Sequence, residues 1–245
     1  MCANILFVCA LFCLVPTFGL ELPDYVKRCS QSDPKLNECA KSSAIAALPT
    51  IIKGDKRYNT PVLDPLHLPE INFDASQNLH INLKNVVLSG LENIVIKDVE
   101  FALQDKRVKV TVFTNYINIF GDYDIDGKVL ILPIKGNGPA NLTFFDSTFV
   151  YEMKYDLVKK DDGKDYVSNI TPSITYKIGK AHFNLENLFN GDKELGDQMN
   201  KFLNENEKEI AKDLAPSVQE VISRIVTSIL DGFLTMVPVE NIFLP

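Results

Sequence analysis

Phe145 to Leu157 reads FDSTFVYEMKYDL, and its side chains alternate in character with a period of two. Phe145, Phe149, Tyr151, Met153, Tyr155 and Leu157 share one parity, while Asp146, Glu152, Lys154 and Asp156 share the other. That period belongs to a β-strand with one buried face, not to a helix. The same reading extends outward from about Asn72 to Leu188. Leu79, Ile81 and Leu83 alternate with polar residues, as do Val108, Val110 and Val112. Tyr123, Ile125, Val129 and Ile131 keep one parity through Gly127, which predicts one long strand bent at the glycine rather than a hairpin turn at Asp126-Gly127. Asp161-Asp162-Gly163 is a clearer turn, and Ile174, Tyr176 and Ile178 open the last strand region. Long strands with one apolar face imply an antiparallel sheet.

On either side of this region the pattern changes. Residues 61–71, PVLDPLHLPEI, are extended and punctuated by proline. After Gly191 the period becomes helical and stays so to about Val237. Leu195, Met199, Phe202 and Leu203 precede the polar stretch NENEKE, and Ile210 and Leu214 follow it. Pro216 predicts a kink or a division there. Val218, Val221, Ile222, Ile225, Ile229, Leu230 and Phe233 continue at three- and four-residue steps, which reads as a core-facing stripe, with an amphipathic helix on a membrane surface as the alternative. Glu220, Arg224 and Asp231 exclude a membrane span. Near the N-terminus, Asp33-Pro34 resembles a helix start, and Lys35 to Leu48 is expected to be helical and to stop before Pro49. The class is therefore α+β.

The chain opens MCANILFVCALFCLVPTFGLELPDY, with positions 5–15 almost wholly apolar and no charged side chain before Glu21. Gly19, with Thr17 two positions earlier, resembles a signal-peptidase site, so residues 1–19 read as a secretory signal and residues 20–245 as the mature chain. Cys2, Cys9 and Cys13 would leave with the signal. Cys29 and Cys39 then remain as an even pair in an oxidising compartment, which favours a disulfide. A redox pair would more often be C-x-x-C, and His67, His80 and His182 show no zinc-ligand spacing beside the cysteines. The bridge would clamp an N-terminal tail to the first helix. Secretion also makes the sequons at Asn141 and Asn169 usable for N-glycosylation, although Pro172 follows the second.

The formal net charge of −7 argues against nucleic acid and against a polybasic membrane anchor. No nucleophile elbow, zinc-protease motif, phosphate loop or dinucleotide fingerprint is present. The run D-Y-D-I-D-G lacks the distal glutamate of a calcium loop. No metal, cofactor or catalytic residue is assigned. What the chain offers is apolar surface: fifteen Phe and eight Tyr with no Trp, largely on the period-two faces and the last helix. A long sheet curved round one helix can enclose an elongated apolar cavity, and a filled core has the same periodicity.

Several segments, in this order, resemble the insect takeout family, which is related to the haemolymph juvenile hormone binding proteins. They are the N-terminal cysteine pair, LDPLHLPEI at Leu63–Ile71, NVVLSGLENIVI at Asn85–Ile96, GDYDIDGKVLILPIKGNG at Gly121–Gly138, HFNLENLFNGDKELGDQMNKFLNEN from His182, and a terminal FLP. The resemblance spans the whole mature chain, residues 20–245, as one hydrophobic-ligand-binding domain. It implies a tubular lipid-binding fold, in which a strongly curved antiparallel sheet wraps a long C-terminal helix round an internal tunnel. It also places the family's N-terminal disulfide on Cys29 and Cys39. The second bridge of juvenile hormone binding proteins has no cysteines here, which favours the takeout branch. The expected function is that of a secreted, monomeric, non-enzymatic carrier of a terpenoid, fatty acid or quinone-like lipid. Candidate lining residues are Phe149, Tyr151 and Met153 on the sheet and Val218, Ile222, Ile225, Ile229 and Phe233 on the helix. The rival readings are a protein that recognises lipid surfaces or microbial lipids, and a secreted esterase.

Overall fold

The computed structural model describes residues 19–75 and 78–245, so the expected signal peptide lies, for residues 1–18, outside the described residues. The spine of the molecule is one antiparallel hairpin. Strand β5 (Arg107–Val129) runs for 23 residues and β6 (Leu132–Lys159) for 28, in continuous register from Arg107 opposite Lys154 to Val129 opposite Leu132. Gly127 stays within β5, as its parity predicts, at φ +143; a Cβ there would lie 2.4 Å from the Asn78 carbonyl oxygen. Ile131 does not continue the strand. It forms the hairpin tip with Leu130 and is 81% exposed, because the alternation of apolar residues carries no mark of where a long strand reverses.

Each edge of this hairpin is shared by two strands. On the β5 edge, β3 (Leu79–Ser89) pairs with residues 118–126 and β4 (Val95–Ala102) with residues 107–113. On the β6 edge, β7 (Asp165–Lys177) pairs with residues 148–159 and β8 (Lys180–Leu185) with residues 140–145. The Asp161–Gly163 segment makes the β6–β7 turn, with Gly163 at φ +78. Outside β3 lies β2 (Leu66–Ala75), which starts earlier than the period-two reading and extends through Pro69. Among the described residues this open antiparallel sheet has seven strands in two tiers.

Between the tiers the strands change parity. In β6 the buried positions are Ile134 and Ala140 in one tier but Ser147, Tyr151 and Met153 in the other; in β5 they are Tyr123, Ile125 and Val129, then Val108 and Thr114. Asp146 sits at this switch with φ 49, and Asn85 and Asn169, with φ of 52 and 48, sit at the register shifts of β3 against β5 and of β7 against β6. Asparagine and aspartate tolerate this left-handed conformation better than other non-glycine residues. An irregular residue of this kind bends its strand and increases the twist, so the inner face stays inside along a curved sheet. Thr114 and Ser147 are fully buried at the switch, and their hydroxyls donate to the carbonyls of Tyr116 and Phe145 at 2.9 and 3.2 Å. The expected common face of Phe145 and Phe149 is therefore broken at Asp146. Phe145 stacks instead on Tyr116, with ring centroids 5.9 Å apart.

The C-terminal helical region divides twice, into α2 (Lys193–Glu205), α3 (Glu207–Asp213) and α4 (Ala215–Leu234). Pro216 falls in the first turn of α4, where its missing N–H costs no helical bond. The second break, at Asn206, has no proline signal. In the β8 tier, Met199, Leu203 and Ile210 pack with Leu79, Tyr123, Ile125, Ile134 and Leu185. The polar side of α2 has a separate task. Asn200 both donates to and accepts from the Leu185 backbone at 2.9 Å, and Asn204 does the same with Phe183 at 2.8 Å. Glu207 accepts from the Ala181 N–H at 2.6 Å. Side chains thus satisfy the free edge of β8, which another strand would otherwise complete.

At the other end, α1 (Leu36–Ile51) runs through Pro49 instead of stopping before it. Pro49 lies in the last turn, where its missing N–H forfeits a single bond, and the Ile52 N–H still reaches the Leu48 carbonyl at 3.0 Å. Cys39, early in α1, is joined to Cys29 in β1 (Cys29–Ser30) by a disulfide. β1 pairs in parallel with β9 (Phe243–Leu244), which follows the short helix α5 (Val239–Ile242). Cys29, Leu36 and Phe243 form one small core with Phe101 against it, the Phe101 and Phe243 rings meeting edge-on at 5.5 Å. The clasp therefore gathers both ends of the described chain. Replacing both cysteines by serine is expected to cost about 2.5–3 kcal/mol from loop entropy. The corresponding fall in the calorimetric midpoint is roughly 5–12 °C, with ligand affinity changing much less.

Candidate ligand-binding site

Helix α4 touches both β2 and β7, the two ends of the strand path β2-β3-β5-β6-β7. A sheet can meet one helix at both of its outer strands only by curling round it. Polar anchors fix the arrangement. Ser217 Oγ donates to the Asp74 carbonyl of β2 at 2.9 Å, Tyr151 and Thr227 hydroxyls lie 2.9 Å apart, and Tyr176 Oη donates to the Ala211 carbonyl at 3.3 Å. Burial pushes the phenol pKa of Tyr151, Tyr155 and Tyr176 above its ordinary value.

Although α4 lies inside this wrap, Val221 and Ser223 are its only buried residues. The helix turns two apolar flanks in different directions. Ile222, Val226, Leu230 and Leu234 face Val108, Tyr151, Met153 and Ile174 of the sheet, together with Phe149 and Tyr155. Most members of this cluster are only partly buried. The second flank, with Val221, Ile225 and Ile229, faces β2 across a cavity of ≈ 520 Å³. Leu66, Leu68 and Ile71 form the opposite wall. Asn59, His67, Glu70, Asn72, Arg224 and Ser228 supply its polar lining, with Pro61 beside them. That volume falls within the roughly 300–1,000 Å³ of small-molecule sites, and its mix of apolar walls with a few polar groups is their usual character.

The candidate lining residues are thus divided between the cavity, the adjoining cluster and positions outside both. Ile225 and Ile229 line the cavity; Phe149, Tyr151, Met153 and Ile222 belong to the adjoining cluster. Phe233 lies elsewhere, against Tyr58 with ring centroids 5.4 Å apart and near Val237. Val218 is half-buried one turn into α4. Sequence reasoning missed the β2 wall and Arg224. Leu66 and Leu68 do alternate, but Pro69 hid the strand, and Ile71 and Phe73 resume inward on the opposite parity. His67, His80 and His182 stand exposed on three different strands.

The turn that leads to the lining residues Asn59 and Pro61 is held by an ionic knot. Asp55 receives Arg57 Nη2 at 2.7 Å and Arg57 Nε at 3.1 Å, accepts Tyr25 Oη at 3.2 Å, and exchanges backbone bonds with Thr60 at 3.0 Å. The Arg57 hydrogen bonds hold the Asp55 carboxyl down at about 2, and burial, aided by Asp55, pushes the Tyr25 phenol up to about 12.

Comparison with known proteins gives a consistent picture. Residues 6–244 match the family of haemolymph juvenile hormone binding proteins. The circadian clock-controlled protein daywake of Drosophila yakuba is 29% identical over 90% of this chain and 88% of its own. A protein of Schistocerca gregaria provisionally named for beta-carotene binding is 22% identical over 67% of this chain and 66% of its own. The crystal structure of Takeout 1 from Epiphyas postvittana superposes with a TM-score of 0.78 at 32% identity, over 90% of this chain and all of that one.

The knot sets a pH dependence. Asp55 has its carboxyl pKa depressed in the folded state from an ordinary 3.8, so its contribution is complete above about pH 4. It is lost as pH falls through about 2. Asp55→Asn is expected to lower the melting temperature at pH 7 by roughly 2–4 °C and to flatten the acid limb between about pH 4 and 2, as followed by circular dichroism.

Proposed function

Because this chain belongs to the haemolymph juvenile hormone binding protein family, we propose that it is a secreted, monomeric carrier of a small lipophilic ligand, held between α4 and the curved sheet. The observation that carries this reading is the state of α4. A helix wrapped by a sheet would normally bury its apolar stripe, yet Ile225 and Ile229 keep accessible surface along a cavity with an apolar opposite wall. Each methylene removed from water there contributes about 0.8 kcal/mol. Ten of them give roughly 8 kcal/mol, which before association costs corresponds to micromolar binding.

The relatives support the reading through what their own names state: one is named for juvenile hormone binding as a family, another for beta-carotene. Terpenoids, fatty acids and quinone-like lipids are the chemical classes such walls accept. The signal-like N-terminus favours the extracellular fluid, and Asn141 and Asn169, both exposed on their strands, are accessible for glycans. No described helix is long and apolar enough to cross a membrane. The single bridge, Cys29–Cys39, favours a takeout-like protein over a hormone binder with two. A serine-directed covalent probe is expected to leave the protein unlabelled, against an esterase. Flotation with anionic vesicles is expected to leave it in solution, against a lipid-surface protein.

Native mass spectrometry of the secreted protein, followed by organic extraction, should reveal a copurified lipid of small mass. The delipidated protein should bind the fluorescent probe N-phenyl-1-naphthylamine; absence of both a lipid and probe binding would sink the carrier reading. Ile225→Glu, which places a charge on the cavity wall, should weaken probe binding by roughly tenfold or more. Met153→Ala, behind the cavity, should instead cost about 2–5 kcal/mol of stability with a smaller effect on affinity.

A further inference from the structure

The chain has four arginines, and three of them are paired with carboxylates: Arg28 with Glu21 at 3.2 Å, Arg57 with Asp55 at 2.7 Å, and Arg107 with Glu152 at 3.1 Å. Arg224 is the exception. It makes no hydrogen bond or ion pair among the described residues, and it lines the ≈ 520 Å³ cavity. Arg224 is exposed on α4, so its guanidinium stands beside the apolar wall with its N–H donors available.

We propose that the ligand of this cavity is an amphiphile with a carboxylate head, and that Arg224 receives that head; this rests on the carrier reading above. Positions on α4 divide the labour. Arg224 and Ser228 are four residues apart and share one stripe of the helix, beside Val221, Ile225 and Ile229. The stripe of Arg224 and Ser228 forms a polar margin, and the neighbouring stripe forms the apolar wall. The guanidinium presents a planar fork of N–H donors that matches a carboxylate, and charged hydrogen bonds of this kind are about twice as strong as neutral ones.

The facing groups are compatible with an anion at this place. From β2 come His67, Asn72 and Glu70. The Glu70 carboxylate is tied back along the sheet, accepting Asn82 Nδ2 at 2.8 Å. Ser228 adds a hydroxyl donor. A hydrocarbon of the same length would fill the apolar wall equally well but would leave Arg224 with water alone, and an ester would offer it one neutral carbonyl in place of a charged, two-oxygen partner.

The test is competition against N-phenyl-1-naphthylamine bound to the delipidated full chain, using palmitate and methyl palmitate. The wild-type protein is expected to bind palmitate about tenfold or more tightly than the ester. Arg224→Gln should remove that preference by weakening palmitate alone, and Arg224→Lys should restore part of it. Equal displacement by the two lipids in the wild type, or an equal loss of both in Arg224→Gln, overturns the carboxylate assignment while the carrier reading stands. If neither lipid nor the probe binds the wild type, both readings fall. The melting temperature of Arg224→Gln, expected within a few degrees of wild type because the side chain is exposed, separates loss of a contact from loss of fold.

Discussion

The structure depends on one helix meeting both ends of one sheet. Because α4 contacts β2 and β7, every strand between them must bend, and the bend must keep apolar side chains inward over strands of up to 28 residues. A regular strand cannot do this. The left-handed residues Asn85, Asp146 and Asn169 supply the correction within β3, β6 and β7, and beside Asp146 the hydroxyls of Thr114 and Ser147 bond the carbonyls of Tyr116 and Phe145. Curvature, a two-tier core and a cavity beside α4 all follow from that local geometry.

The two tiers are filled differently. Around α2 and α3 the side chains close into a tightly buried cluster that includes Leu79, Ile134 and Leu188. Around α4 the facing residues are larger, and many are partly exposed. Protein interiors normally pack to crystalline density, so space left beside an apolar helix is a property of the site, not of the fold as a whole.

Much of this was legible in the chain. Alternation in Phe149–Tyr155 and Val108–Val112, the glycine within β5, the turn at Gly163, the helical stripe after Pro216 and the pairing of Cys29 with Cys39 all report directly on local periodicity or on simple chemistry; Leu157, expected on the same face, is 40% exposed beyond the register shift after Lys154. The parity switches were not, because a single out-of-phase residue such as Asp146 resembles an ordinary polar position on an outer face. The β2 wall was hidden by Pro69, which reads as a loop signal although an edge strand tolerates it. The polar run containing Asn200 and Asn204 looked like solvent-facing helix, and nothing local shows that those amides complete the edge of β8. Of the eight candidate lining residues, Ile225 and Ile229 fall on the cavity that the structure forms beside α4. Their partners are distant in sequence and could not be located by periodicity.

Pro69 has a consequence for solubility. Strand β2 is an outer strand of an open sheet, and an outer strand offers its backbone groups to any extended chain that drifts past. At residue 69 there is no N–H to offer, and Ser217 already engages the carbonyl of Asp74. Glu70, Asn72 and Asp74 add polar or charged side chains along the same stretch. The strand that walls an apolar cavity is thereby a poor template for a second copy of itself, and a protein with a greasy groove at a sheet margin can remain dispersed at high concentration.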